Sequence, residues 1–530
     1  AAEKGKKKRA PLSSFTILLI ILVVLAIVTV IMSASGVEGV QGATLSQVLT
    51  APVFGFQDAI GVCLFVMILG GFLGIVTETG ALDAGIAALV HKLKGNELVL
   101  IPILMFIFSI GGTTYGMCEE TVPFYLLLAA TMVAAGFDSL TGAAVVLLGV
   151  GVMGSTVNPF AVGVAVDALN GIGVSVNQGI IIALGVIIWL VSLAIAIVFV
   201  MRYAKKVKAD KGSTFLSLQE QQDMMNEWGM KESETEAADD DAAATPKMSG
   251  RQKWSLIVFA LTFVIMIVSF IPWEDLGFDG FVAGQSYEEV TTTMTGEEVA
   301  TFIDDANDGA TTTTIAEPVE AVSVSEEEVT PAWSSFLTGI PLGQWYFDEA
   351  STWFLLMALI IGVIGGVSES RFVKAFINGA ADMMSVVLII ALARSITVLM
   401  ASTGLDMWIL NNAANALAGM SAIIFAPLSF LLYIVLSFLI PSSSGMATVS
   451  IPILGGLAHQ LNFSVETMVM IYSAGNGLVN LFTPTSGAIM GGLALAKVEY
   501  STWLKFGAKL FVVLGVVCIV ILTAAMVILS

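Results

Sequence analysis

The chain has few of the residues from which catalytic and metal sites are usually built. Its 530 residues include two histidines, His91 and His459, and three cysteines, Cys63, Cys118 and Cys518. Two imidazoles do not make a usual metal site. The cysteines all lie in or beside apolar runs, so no disulfide framework is expected. No phosphate-binding GxxxxGK[ST] loop occurs, which removes ATP hydrolysis as a source of energy. An intramembrane serine protease would want a Gly-x-Ser-Gly turn and a histidine partner. Ser442-Ser443-Ser444-Gly445 lacks the first glycine, and His459 lies 15 residues further on. The sequence therefore does not read as an enzyme. Charged residues are only 12% of the chain, and 273–350 contains 17 Asp and Glu but no Lys or Arg. The net charge of −20 repels phosphate, so nucleic acid is not an expected partner.

Apolar residues are abundant, at 57%. Runs of about 20 recur, each long enough to cross a hydrocarbon core of roughly 30 Å. The first, 15–34, follows Lys4-Gly5-Lys6-Lys7-Lys8-Arg9. It lacks a small-x-small cleavage site before a soluble domain and reads as a retained helix rather than a signal peptide.

Basic residues near spans mark the cytoplasmic side. With the N-terminus inside, helices 15–34 and 56–78 leave and return. The run 98–135 is too long for one span and is interrupted at Gly111-Gly112-Thr113-Thr114, so it reads as a re-entrant hairpin from the cytoplasm. Helices 140–168 and 178–200 follow, then a cytoplasmic polar linker, 203–253. A connector helix, 254–272, leads to an acidic extracytoplasmic loop, 273–350, expected to be flexible. Helices 352–369 and 378–401, a second hairpin 421–459 entering from outside, and helices 465–493 and 505–529 complete the trace. This places the C-terminus outside. Of the 22 basic residues, 21 fall on the cytoplasmic side and only Arg394 does not.

The chain also says nearly the same thing twice. Thr113-Thr114-Tyr115-Gly116-Met117, with Pro123 behind it, reappears as Ser442-Ser443-Ser444-Gly445-Met446 with Pro452 behind it. Broken segments follow each copy, from Gly149 to Asn158-Pro159 and from Ala474 to Thr483-Pro484. A small echo precedes each, Thr79-Gly80-Ala81-Leu82-Asp83 and Thr403-Gly404-Leu405-Asp406. Paired, interrupted hydrophobic segments at matching places point to a transporter site at the bilayer midplane. Repeat 1 (1–202) and repeat 2 (351–530) are thus expected to be inverted images.

Non-helical backbone at membrane depth is tolerated where protein or a water-filled cavity satisfies it. Gly111, Gly112, Gly116 and Gly445 permit bends or close approach. Thr113, Thr114, Ser442, Ser443, Ser444 and Thr483 offer hydroxyls, and Asn158, Asn476 and Asn480 offer amides. Taken singly, small and hydroxyl residues also serve helix packing; the repetition favours a site. Glu119 and Glu120 follow the first tip, where a carboxylate faces a cavity, binds a cation or carries a proton. Repeat 2 has Ala447-Thr448 there, so the site is negative on one side only. Arg394 either grips a substrate carboxylate or pairs with Glu78, Glu119 or Asp406 as a lock. Asp83, Asp138 and Asp406, near segment ends, read as caps or interface residues, and Glu369, beside Arg371, as interfacial.

The runs Gly111 to Pro123, Asn158-Pro159-Phe160, Ala393-Arg394-Ser395-Ile396 and Pro441 to Met446 together resemble the YfcC/DcuC family of the ion transporter superfamily. The resemblance covers most of the chain outside the polar loops. It implies an all-α polytopic fold with two inverted repeats, opposed hairpins, a dimeric scaffold and elevator-type transport. Its members carry C4-dicarboxylates or exchange basic amino acids of the arginine and ornithine type. Glu119-Glu120 resembles the YfcC branch more than the dicarboxylate branch. The expectation is a cell-membrane homodimer that carries a small amino acid or carboxylate. The moving part would hold the hairpins and broken helices. The scaffold would hold helices 15–34, 56–78, 178–200, 352–369 and 505–529. A coupling cation, Na+ or H+, is expected near Thr114, Asn158, Ser443 and Asn476, with no other cofactor. A dicarboxylate carrier is the alternative within the class, and an ion channel the alternative outside it.

Overall fold

A computed structural model describes residues 14–82, 84–85, 88, 97–114, 116, 118, 121–151, 153–156, 158–228, 248–271, 273–274, 277–294, 321–440 and 442–530. In chain order α1 is Ser14–Ala34, α2 Leu45–Asp58 and α3 Ile60–Glu78. The first hairpin has arms α4 (Leu100–Thr114) and α5 (Val122–Ala134). The first broken helix has arms α6 (Ser139–Val150) and α7 (Val164–Gly171), with a π turn at Pro159–Gly163. Then come α8 (Gln178–Ala209), α9 (Leu218–Trp228) and α10 (Gly250–Phe270). After the acidic segment follow α11 (Phe347–Gly365), α12 (Glu369–Asp382), α13 (Met384–Thr403) and α14 (Leu405–Leu417). The second hairpin is α15 (Ala422–Leu439) and α16 (Ser443–Gln460), and the second broken helix is α17 (Val465–Val479) and α18 (Gly487–Leu495). The last helix is α19 (Tyr500–Leu529). Among the described residues nine helices are long and apolar enough to cross a membrane.

Helix starts follow local chemistry. Asp138, Asn177, Ser442, Ser464 and Ser486 each accept a first-turn amide at the head of α6, α8, α16, α17 and α18, which satisfies a donor the helix cannot satisfy itself. The two Thr-Gly echoes adopt one device. Thr79 and Thr403 donate to carbonyls three or four residues back, and Gly80 and Gly404 then turn left-handed at φ +67° and +69°. Glycine takes that conformation without steric cost.

The chain forms two compact units, Met266–Glu349 and the remainder. The smaller unit corrects the all-α expectation. It contains an antiparallel pair of strands, β1 (Ser286–Met294) and β2 (Ala321–Thr330). The flanks of the acidic segment are also ordered. Trp273, Phe278, Phe281 and Trp333 pack with ring centres 5.5–6.1 Å apart, and Trp333 Nε1 donates to Gly280 O at 2.7 Å. Residues 295–320 lie outside the described part.

The larger unit contains two sets of helices. In one, α1, α2, α3, α10, α11, α12 and α13 pack together. A methyl on Gly70 would overlap Gly379 O, and one on Gly74 would overlap Ala375 O, so α3 and α12 approach through small-residue faces. Phe65, Phe72, Phe259, Phe263 and Phe354 form a ring cluster with centres 5.0–6.1 Å apart. In the other set the hairpins and broken helices pack with α8 and α19. The sequence reading put those two helices in the scaffold; here they pack with the hairpins and broken helices. Glu466 in the first turn of α17 accepts the Asn177 amide at the head of α8 at 3.0 Å, and α19 packs along α15 and α17. The sets meet where Gly487 and Gly491 of α18 face Ile390 and Val386 of α13.

Candidate functional site

Each hairpin tip is tied to the break of its own repeat. In repeat 1 the Thr113 hydroxyl donates to Gly154 O at 2.5 Å, and Thr113 O accepts the Thr156 amide at 2.8 Å and its hydroxyl at 3.0 Å. A methyl on Gly112 would overlap Val150 O. Gly116 has φ +77° and is backed by the Asn158 amide, which a methyl there would strike. Two independent reasons therefore require glycine at 116. Gly111 is buried in the last turn of α4. In repeat 2 the Tyr472 hydroxyl donates to Ser443 O at 2.7 Å. Thr483 and Thr485 share a hydroxyl bond of 2.6 Å, and Thr485 Oγ1 donates to Phe438 O at 3.3 Å. The two breaks also touch one another, since a methyl on Gly151 would overlap the Leu481 side chain. Tips and breaks thus converge on one place.

The two copies of the repeated pattern differ in local structure. Thr113 and Thr114 are the last residues of α4, and the Thr114 hydroxyl donates back to Ile110 O at 2.6 Å. Ser442 instead precedes α16, accepts the Gly445 amide at 3.1 Å and lies 3.5 Å from the Ser444 hydroxyl. Gly445 is inside a helix rather than at a bend. The first tip therefore presents the carbonyl end of a helix, which favours cations. The second presents an amide end, which favours anions. The Ser443 and Ser444 amides are first-turn donors with no intrahelical acceptor.

Asn476 lies on α17 one turn beyond Tyr472 and is 6% exposed. Its Oδ1 accepts from Asn480 Nδ2 at 3.0 Å, while its Nδ2 has no hydrogen-bond partner among the described residues. The Ser473 hydroxyl, three residues earlier on the same helix, is also buried without a partner. Leaving such a donor unpaired costs about 1–3 kcal/mol.

Among the described residues Arg394 pairs with neither Glu78 nor Asp406. It meets Asp58, at the end of α2, at 3.6 Å, and Glu78 is instead taken by Arg371 at 2.6 Å. Asp406 turns back on the Met407 amide. None of the four ion pairs among the described residues includes a residue of either tip or break. Glu119 and Glu120 lie outside the described residues, as do Tyr115, Met117 and Pro441. No group of three metal-ligating side chains occurs among the described residues. Sequence reasoning missed Gly151, Gly154, Thr156, Tyr472, Leu481 and Thr485. Gly151, Gly154, Thr156 and Leu481 lie inside the two interrupted runs, a signal that could have found them; Tyr472 and Thr485 lie just outside and carried none.

The sequence profile of the C4-dicarboxylate anaerobic carrier family, DcuC, matches residues 12–527. The chain belongs to this family. An uncharacterized protein of Haemophilus influenzae is 27% identical over 465 residues, which is 87% of this chain and 74% of that protein. YfcC of Escherichia coli (strain K12), named as a candidate basic amino acid antiporter, is 26% identical over 483 residues, 89% of this chain and 78% of YfcC. Among solved structures, the Alcanivorax borkumensis YdaH transporter is similar at a TM-score of 0.41 and 14% identity, covering 97% of this chain and 98% of that one. Neisseria gonorrhoeae MtrF, described as illuminating a class of antimetabolite efflux pumps, is similar at 0.40 and 16%, covering 98% and 96%. The protein is a multi-pass membrane transporter.

Proposed function

We propose that the protein is an ion-coupled or exchanging secondary carrier of a small amino acid, with a basic one such as arginine or ornithine preferred. The observation that carries this reading is Asn476 Nδ2, a buried donor without an acceptor on the side of the site where α16 begins. The substrate carboxylate accepts from Asn476 and the hydroxyls and amides of Ser442, Ser443 and Ser444. The substrate cation faces the carbonyl end of α4, close in sequence to Glu119 and Glu120. A zwitterion matches two helix ends of opposite polarity; a dianion matches only one. Thr114, Asn158, Ser443 and Asn476 offer oxygen ligands for a coupling Na+, and Glu119 or Glu120 offers a place for H+. Thr113 and Thr483, engaged in latching the tips, position the site. Arg394, engaged by Asp58, acts as a structural lock.

Alternating access comes from the hairpin set sliding as one body along the glycine face of α18 against α13, in an elevator movement. The repeats are inverted, with the N-terminus in the cytoplasm and the C-terminus outside, and the other set of helices supplies a homodimer contact. Membership of a family named for C4-dicarboxylate carriage supports a second reading, a dicarboxylate carrier. Counterflow in proteoliposomes decides between them. Arginine-loaded vesicles should accumulate labelled arginine, and succinate should neither drive nor inhibit this. Succinate counterflow without arginine counterflow would transfer the assignment to the dicarboxylate reading. Unitary currents without any counterflow would sink both.

A further inference from the structure

The stretch that reads as a linker between the repeats is partly built into the bundle. Ser217-Leu218-Gln219-Glu220 is a capping box that starts α9: Ser217 Oγ accepts the Glu220 amide at 3.3 Å, and Glu220 Oε2 accepts the Ser217 amide at 2.6 Å. Glu220 does more than close its own box. Its Oε1 accepts the Glu499 amide at 2.8 Å and its Oε2 accepts the Thr502 hydroxyl at 3.0 Å. The carboxylate is 3% exposed and caps the head of α19 from outside that helix. Met224, on the same face of α9, accepts the Ser139 amide on its sulfur at 3.3 Å. Thr214 donates to Asp138, the cap of α6, at 2.6 Å, and Lys211 donates to Gly136 O at 2.8 Å. Glu227 meets Lys497, just past α18, at 3.6 Å. Phe215 packs against Tyr203 and Phe506.

We propose that residues 210–228 are a staple that holds the start of the first broken helix (α6) to the end of the second (α18) and the head of α19, so that these helices move as one body. The proposal rests on the reading above that the hairpins and broken helices move together. Nothing else among the described contacts ties α6 to the α18–α19 turn by side-chain hydrogen bonds at this end; the staple lands on Asp138 at α6 and reaches the head of α19 through its own Glu220.

Two measurements on the full chain test it. Hydrogen exchange in nanodiscs, which needs no substrate, is compared for wild type and Glu220→Ala. The staple predicts that protection falls at least tenfold in 210–228 and also in the first turns of both α6 and α19. A fall confined to 210–228 would overturn the proposal, because the segment would then lie on the helices without holding them. If Glu220→Ala does not fold, Thr502→Val, which removes one of the three donors, is compared in the same way. The second measurement joins Glu227→Cys to Lys497→Cys with a short cleavable bifunctional thiol reagent, in a chain whose native cysteines are replaced by alanine. Arginine counterflow should stay within twofold after joining. Loss on joining with recovery on cleavage would mean the strap must open during transport, and would overturn the staple. Absence of arginine counterflow in the unjoined wild type would count against the proposed substrate alone, leaving the exchange measurement to decide.

Discussion

Gly151 of the first break lies directly against Leu481 of the second, with no room for a methyl group between them. Two segments more than three hundred positions apart thus complete each other's packing at the place where both tips arrive. Gly151→Ala should cost about 1–3 kcal/mol, the usual penalty for overpacking. Leu481→Ala in that background should restore part of it, since Leu481 is the movable partner, while the Leu147 carbonyl, 2.7 Å from the added methyl, is fixed. Thermal unfolding of the two single variants and the double variant gives the coupling. Additive losses would show that the breaks do not share this contact.

Asn476 yields a prediction that separates stability from binding. Asn476→Ala removes an unpaired buried donor but also the acceptor of the Asn480 amide; the two effects oppose one another, so the melting temperature should change little. The same change should weaken arginine binding about tenfold or more, the equivalent of 1.5–3 kcal/mol for a hydrogen bond to a charged group. A large drop in melting temperature with unchanged affinity would return Asn476 to a purely structural role.

Much of this organisation is legible in the chain. Period and length give the spans, and Gly111-Gly112-Thr113-Thr114 marks the end of α4, whereas the second tip falls at Ile440 to Ser442, ahead of Gly445. The Thr79-Gly80 and Thr403-Gly404 echoes give two left-handed turns of one kind. What is not legible has physical reasons. Long apolar helices such as α8 and α19 carry no sequence mark of which neighbours they choose, because lipid and protein interiors are equally apolar. Their allegiance is set by polar contacts at their ends, through Asn177 and Glu499. The Arg394–Asp58 pair was hidden because 56–78 reads as one span, whereas Asp58 closes a separate amphipathic helix, α2, before the span itself begins at Ile60. The register of a repeated pattern relative to its helix is also invisible, and so Ser442 to Ser444 start a helix where Thr113 and Thr114 end one. The Ser217-x-x-Glu220 box was readable but was passed over inside a polar stretch.

Under the proposed function Glu119 and Glu120 set the charge of what is carried, and their Gln variants separate three cases. If one of them pairs with a cationic substrate, its Gln variant leaves that cation unpaired in a site where carbonyls alone face it. Uptake and exchange should then both fall at least tenfold, in line with the loss of a charged hydrogen-bond partner. If one instead carries a proton, Gln should stop net uptake but preserve exchange, because exchange does not require the empty carrier to return. If both serve folding, the yield of folded protein should drop while the specific activity of that fraction holds. Each variant is measured in liposomes for net uptake and for arginine exchange, with folded fraction assessed by size-exclusion chromatography. The double Gln variant is decisive for polarity. Wild-type kinetics in both assays would remove cation binding and proton carriage from these residues, leaving the amide end of α16 and Asn476 as the only charge preference of the site, and the dicarboxylate reading would take precedence.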